Sequence, residues 1–210
     1  MSISTTADVD MAQCERIGRE CGLAAGLALA LSGIEVAEAA PGRYAAVPAE
    51  AVALDAPVLR HRLAELEGIA LLECPGGCPA GDGAALAEVG RRLAAVRLGV
   101  LRAVLDQAVE HLSDRVSGGE PLVRKQLITG AIADVVCGIE MVRTYAEARS
   151  EPAALGDVHS QIDALGWEVA KLYGAAGYLA DGPGRALYVS ALAAGTWVAR
   201  EEARGGERAR

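Results

Sequence analysis

Between Leu86 and Leu112 the apolar residues fall at Leu86, Val89, Leu93, Val96, Val100, Val104, Ala108 and Leu112. Steps of three and four gather onto one stripe only in an α-helix, here one of about 30 residues. The helix is predicted to stop at Ser117-Gly118-Gly119-Glu120-Pro121, where two glycines allow a left-handed turn and the proline forbids continuation. A second helix is predicted from near Pro121, with its stripe at Ile128, Ile132, Val135, Ile139, Val142 and Tyr145. A third carries Val158, Ile162, Leu165, Val169 and Leu172, and ends in Gly174, Gly177 and the Asp181-Gly182-Pro183-Gly184 turn. A fourth runs from about Arg185 to Arg200. Four such helices on short turns predict an antiparallel four-helix bundle. With 52% hydrophobic residues, only 3% aromatic and no Phe, its interior must be close-packed Ala, Leu, Val and Ile.

The first 85 residues pattern differently. A short helical start at 9–19 is followed by apolar runs at 27–31, 34–37, 44–47 and 69–72, broken by Gly and Pro. These predict strands with hairpin turns at Ser32-Gly33 and Pro41-Gly42, and 57–67 is one helix or a long loop. The expected division is a small, partly β module over 1–80 and a mainly α bundle over 81–210, ending in a charged, frayed tail from Arg200.

The net charge of −8 and pI near 5.0 set aside a phosphate-tracking nucleic-acid surface. The longest apolar run, 22–31, falls well short of the roughly 20 residues of a membrane span, so a cytoplasmic location with no membrane partner is expected. The odd set Cys14, Cys21, Cys74, Cys78 and Cys137 requires no disulfide framework. A zinc site from Cys74 and Cys78 with Cys14 and Cys21 is weighed against a Gly/Pro-rich connector that happens to carry two thiols, and the connector is preferred, with no metal expected.

The segment GDGAALAEVGRRLAAVRLGVLRAVLDQAVEHLSDRVSGGEPLVRKQLITGAIADVVCGIEMVRTYAEA, residues 81–148, resembles the first two helices of the C-terminal bundle of acyl-CoA dehydrogenases. Gly99, Leu105, Asp106, Arg115, Gly119, Pro121, Gln126, Ala133 and Asp134 occupy that family's motif positions, and KLYGAAGYLADGP is similar to its Gly-rich turn, with Lys171, Gly174, Ala175, Gly177 and Tyr178 in place. An arginine at a helix end beside glycine turns supplies a planar fork and bare N–H groups that suit a phosphate; the alternative is a helix stop with a solvated arginine. The resemblance implies that Arg115 and the turn from Lys171 to Gly177 face the FAD of a neighbouring subunit.

The same comparison marks departures. The family's base is a Glu in a Tyr-Glu-Gly-Thr turn, and the matching residues here are Ala193-Ala194-Gly195-Thr196, so the base position is Ala194. The catalytic residues are therefore unknown, with Glu88, Lys171 and Tyr178 as candidates. Arg185 lacks the Asp that accompanies it in the family, and no Trp precedes Trp167 to build the flavin-holding strands. No complete FAD site is expected in the chain alone. His61, His111 and His159 lie on separate elements, and His111 reads as a solvated helix-end residue. Trp167 and Trp197 read as core or interface anchors.

Three functions are compatible with this pattern. The first is the catalytically incomplete small subunit of a heteromeric FAD-dependent acyl-thioester dehydrogenase, in specialised metabolism, with FAD at a site shared with a full-length partner. The second is a flavin-free, redox-neutral cyclase or isomerase acting on a polyketide-like substrate. The third is a structural or regulatory bundle. Self-association as a homodimer, or assembly with a full-length relative, is expected because apolar stripes would otherwise stay wet.

Overall fold

The computed structural model describes residues 9–75, 83–149 and 151–198. Four long helices, α4 (Gly83–Ser113), α5 (Gln126–Ala148), α6 (Pro152–Leu172) and α7 (Gly184–Trp197), make the expected bundle. They are preceded by α1 (Met11–Ala30), α2 (Val36–Ala39) and α3 (Arg62–Leu66). Strands β1 (Tyr44–Pro48), β2 (Val58–Leu59) and β3 (Ile69–Glu73) form one antiparallel sheet in the order β1-β3-β2. Two short strands, β4 (Val116–Ser117) and β5 (Glu120–Pro121), pair after α4 around Gly118 and Gly119, both at positive φ.

Side-chain pairings set the helix directions. Gly90 lies level with Leu155 and His159, and Val104 with Tyr173, so α4 and α6 run parallel. Arg97 meets Ser190 and Gly90 meets Val198, so α7 runs antiparallel to both, and the short connections from α4 and into α6 set α5 antiparallel as well.

The sequence reading fails at 27–37. Residues 27–31, expected as a strand, close α1; residues 34–37 lead into α2, and Ser32-Gly33 is a helix-end turn rather than a hairpin. The expected helical start at 9–19 thus runs on to Ala30. The cause is a close helix crossing. A Cβ on Gly18 would sit 2.3 Å from the Val96 carbonyl oxygen, and one on Gly99 2.0 Å from that of Glu15. Glycines that look like breakers in sequence are here the contact face of α1 on α4. Only Gly22, at φ 85, bends the helix. The segment 57–67 is neither one helix nor a loop but β2 followed by α3. The second bundle helix begins at Gln126, after a 3₁₀ turn over Leu122–Arg124, rather than near Pro121.

Sheet and bundle share one apolar cluster, from Cys14 and Leu27 through Ala46 and Ile69 to Leu98 and Trp197. The open edge of β1 is closed by α7: the Thr196 hydroxyl accepts the Ala46 N–H at 3.0 Å and the Trp197 indole donates to the Ala46 carbonyl at 2.7 Å. The expected boundary at 80/81 lies outside the described residues. Among the described residues no helix is long and apolar enough to cross a membrane.

Candidate functional site

One turn of α4 beyond Leu93 and one before Leu101, on the core stripe, stands Arg97, only 1% exposed. A guanidinium placed there must have every donor met. Its Nε donates to Ser190 Oγ at 2.9 Å, Nη1 donates to His159 Nδ1 at 2.8 Å, and Nη2 donates to the Asp163 carboxylate. Because arginine can only donate, His159 Nδ1 must accept, and its Nε2–H then donates to the Gly90 carbonyl at 3.0 Å. The ring is fixed as the neutral Nε2–H tautomer. None of Arg97, Asp163 and Ser190 stood out in the sequence; the available signal was a charged residue on a core-facing helical position.

Arg97, Asp163 and Ser190 of this network form the inner end of a cavity of about 420 Å³ between α4, α6 and α7. Its walls include Leu101, Ile162, Ala170 and Leu187, and at its mouth stand Trp167, Tyr178, Leu179 and Tyr188, each at least half exposed. Trp167 and Tyr178 meet edge to face at 5.4 Å, and Tyr188 stacks on His61. Arg185, without an Asp on its own helix, pairs instead with Glu67 at 2.6 Å. Of the two tryptophans, Trp197 is core and Trp167 belongs to this mouth.

The structure sets Arg115 and the Gly-rich turn at the same end of the bundle. Tyr173 anchors that end: burial pushes its phenol up to about 12, and its O–H donates to the Val104 carbonyl at 2.7 Å, while its ring lies 5.2 Å from His111. His111 is half-buried, not solvated, and its Nε2 has no partner among the described residues. Arg115 is exposed, and among the described residues its guanidinium has no ion-pair or hydrogen-bond partner. The nearby acid Glu120 is taken by Lys125 at 2.7 Å, which holds its carboxyl below the usual range. Gly174, at φ 58, opens the turn, Ala175 is exposed on it, and Gly177 is buried against the Ala170 carbonyl. Lys171 pairs with Glu168. No hydrogen bond or ion pair joins Arg115 to this turn among the described residues.

The candidate acid–base groups do not converge. Glu88 is held by Arg91 at 2.9 Å and Arg92 at 2.8 Å, nine residues and so about 13 Å along α4 from Arg97. Tyr178 reaches the cavity and Lys171 does not line it. Ala194, at the base position, is 2% exposed inside the core.

Cys78 lies outside the described residues, and among the described residues no group of three or more His, Cys, Asp or Glu side chains could hold a metal ion. Cys14 and Cys74 are buried, and burial pushes the Cys14 thiol up to about 11 and raises that of Cys74; Cys21 and Cys137 are exposed. A thiol reagent at pH 8 is therefore expected to label Cys21 and Cys137 at least about 100-fold faster than Cys14, as read by peptide mass mapping. Equal labelling of Cys14 would contradict the packing of α1 on α4.

A model of the acyl-CoA dehydrogenase C-terminal domain matches residues 85–198, just over half of the chain. Among solved structures, a variant of the Tcur3481-Tcur3483 steroid ACAD aligns with TM-score 0.51 and 20% identity over 70% of this chain and 46% of its own. A glutaryl-coenzyme A dehydrogenase in complex with glutaryl-CoA aligns with TM-score 0.51 and 17% identity, over 67% and 42%. An acyl-CoA dehydrogenase from Geobacillus kaustophilus gives TM-score 0.50 and 15% identity, over 69% and 47%. The chain thus spans less than half the length of each. No curated protein sequence matches it.

Proposed function

The chain belongs to the acyl-CoA dehydrogenase family, and from that membership we propose that it is the catalytically incomplete small subunit of a heteromeric, FAD-dependent acyl-thioester dehydrogenase of specialised metabolism. In this reading 1–80 is the sheet-bearing module and 81–210 the bundle. The observation that carries it is a division of labour among motif positions. The base position is a buried Ala194, whereas Arg115 is left without a partner among the described residues, at the bundle end where the turn Gly174–Tyr178 lies. An unpaired guanidinium and glycine-bounded backbone N–H groups fit a pyrophosphate, so Arg115, Lys171, Gly174, Ala175 and Gly177 would hold that part of a partner's FAD. The flavin, when bound, supplies the hydride acceptor. Leu127 and Met141, both exposed and about four turns apart on one face of α5, support an interface with a second subunit, another copy or a full-length relative. The location expected for such an enzyme is the cytoplasm.

The purified chain is expected to be colourless, and to carry flavin only when co-expressed with a full-length relative. In that complex Arg115→Ala should weaken flavin retention about 10- to 100-fold, the usual worth of a charge-assisted hydrogen bond, with an unchanged melting temperature. Arg115→Lys should rescue poorly, because an ammonium lacks the fork. A yellow preparation of the chain alone, or unchanged flavin content with a lowered melting point in Arg115→Ala, would sink the assignment.

A second reading, a flavin-free redox-neutral enzyme on a polyketide-like substrate, is favoured by one observation, the apolar cavity closed at its inner end by Arg97, Asp163 and Ser190. Substrate turnover by the chain alone would select it.

A further inference from the structure

We propose that the cavity between α4, α6 and α7 binds a neutral, largely apolar small molecule that presents a carbonyl oxygen to the Ser190 hydroxyl. The assignment stands independently of whether the chain works with a flavin-bearing partner. A volume of about 420 Å³ lies in the range of ligand pockets. The mouth concentrates a scarce resource: the chain holds 2 Trp and 5 Tyr and no Phe, yet Trp167, Tyr178 and Tyr188 all stand there half exposed. Rings left wet in a chain so poor in them are unspent contact area.

The inner end decides the ligand's polarity and charge. Arg97 is matched by Asp163 and Arg185 by Glu67, so an anionic ligand would have to displace a carboxylate from its guanidinium, and a cationic one a guanidinium from its carboxylate. A neutral molecule faces neither cost. Ser190, 3% exposed, accepts the Arg97 Nε–H, which turns its own proton away from the arginine. Ser113 returns its proton to the carbonyl four residues earlier, that of Val109, at 2.7 Å. The Ser190 proton has no such acceptor among the described residues. A buried O–H without an acceptor is costly, and a carbonyl oxygen satisfies it without bringing a proton of its own. The Leu101, Ile162, Ala170 and Leu187 walls then take the apolar body.

Prodan, a neutral naphthalene ketone whose emission shifts to the blue in apolar surroundings, tests this on the full chain. One-to-one saturable binding with a blue shift is expected. A Cβ at Gly166 meets only Leu187, at 3.8 Å, so Gly166→Leu grows into the cavity and should weaken binding on the order of tenfold or more. Ala191→Phe, from α7, should do the same, and serves if the first variant fails to fold. Ser190→Ala should weaken prodan about 3- to 10-fold while leaving the affinity for dimethylaminonaphthalene, the same ring system without the ketone, unchanged. The proposal is overturned by an absence of saturable one-to-one binding, by prodan affinity unmoved in the folded cavity-filling variants, or by Ser190→Ala weakening both probes alike or neither.

Discussion

Replacing Arg97 by leucine is expected to destabilise the protein by about 3 kcal/mol, because it leaves the buried Ser190 and His159 without their donor and strips the part-exposed Asp163 carboxylate of its partner. Ser190 and His159 are 3% and 4% exposed, and both lose the donor that Arg97 supplies. For a chain of this length that corresponds to a fall of roughly 10 °C in melting temperature. Arg97→Lys should recover little of it, since one ammonium cannot reach Ser190, His159 and Asp163 from a single stem. The double replacement Arg97→Leu with Asp163→Leu should melt above Arg97→Leu alone, as removing both charges removes the stranded one. Differential scanning calorimetry decides the matter, and a melting point for Arg97→Leu within 2 °C of the parent, a shift of about 1 kcal/mol or less, would refute the network's structural role.

The second large effect concerns one methyl group. Gly99→Ala should cost about 3 kcal/mol, at the upper end for overpacking, because the added carbon would lie 2.0 Å from the Glu15 carbonyl oxygen and 2.8 Å from the Arg19 nitrogen. Both are backbone atoms, so α1 as a whole must move. Gly130→Ala, on the exposed face of α5 with nothing within 4 Å of the new atom, should instead stabilise by about 0.5 to 1 kcal/mol, the ordinary helix preference of alanine over glycine. Denaturant midpoints of the two variants should therefore move in opposite directions. A common direction would show that the crossing of α1 and α4 is looser than described.

The crossing of α1 and α4 and the buried Arg97 explain what was legible in the sequence and what was not. The bundle helices could be read because the stripes of α4, α5 and α6 repeat over several turns, and those of α4 and α6 end at stops rich in Gly and Pro, signals that need no knowledge of partners. Of α1 only the start at 9–19 could be read, because its glycines weaken a helix considered alone, and only Val96 of α4 packed against Gly18 and Gly26 makes them favourable. Arg97 was hidden for a related reason. It was one charged residue on a long helix until Asp163 and Ser190, 66 and 93 residues away, were brought to it. The bundle end with Arg115 and the Gly-rich turn was visible because a local chain pattern encodes it, whereas the Glu67 partner of Arg185, 118 residues away, left no local trace.

The closure of β1 by α7 also sets an order of events during synthesis. Both backbone groups of Ala46 find their partners 150 and 151 residues later, in Thr196 and Trp197. Contacts so distant along the chain form late, and until residue 197 has been made the outer edge of β1 is an open row of donors and acceptors that a second strand could join. The nascent chain thus carries an adhesive edge between the making of β1 and that of α7, and completing α7 removes it.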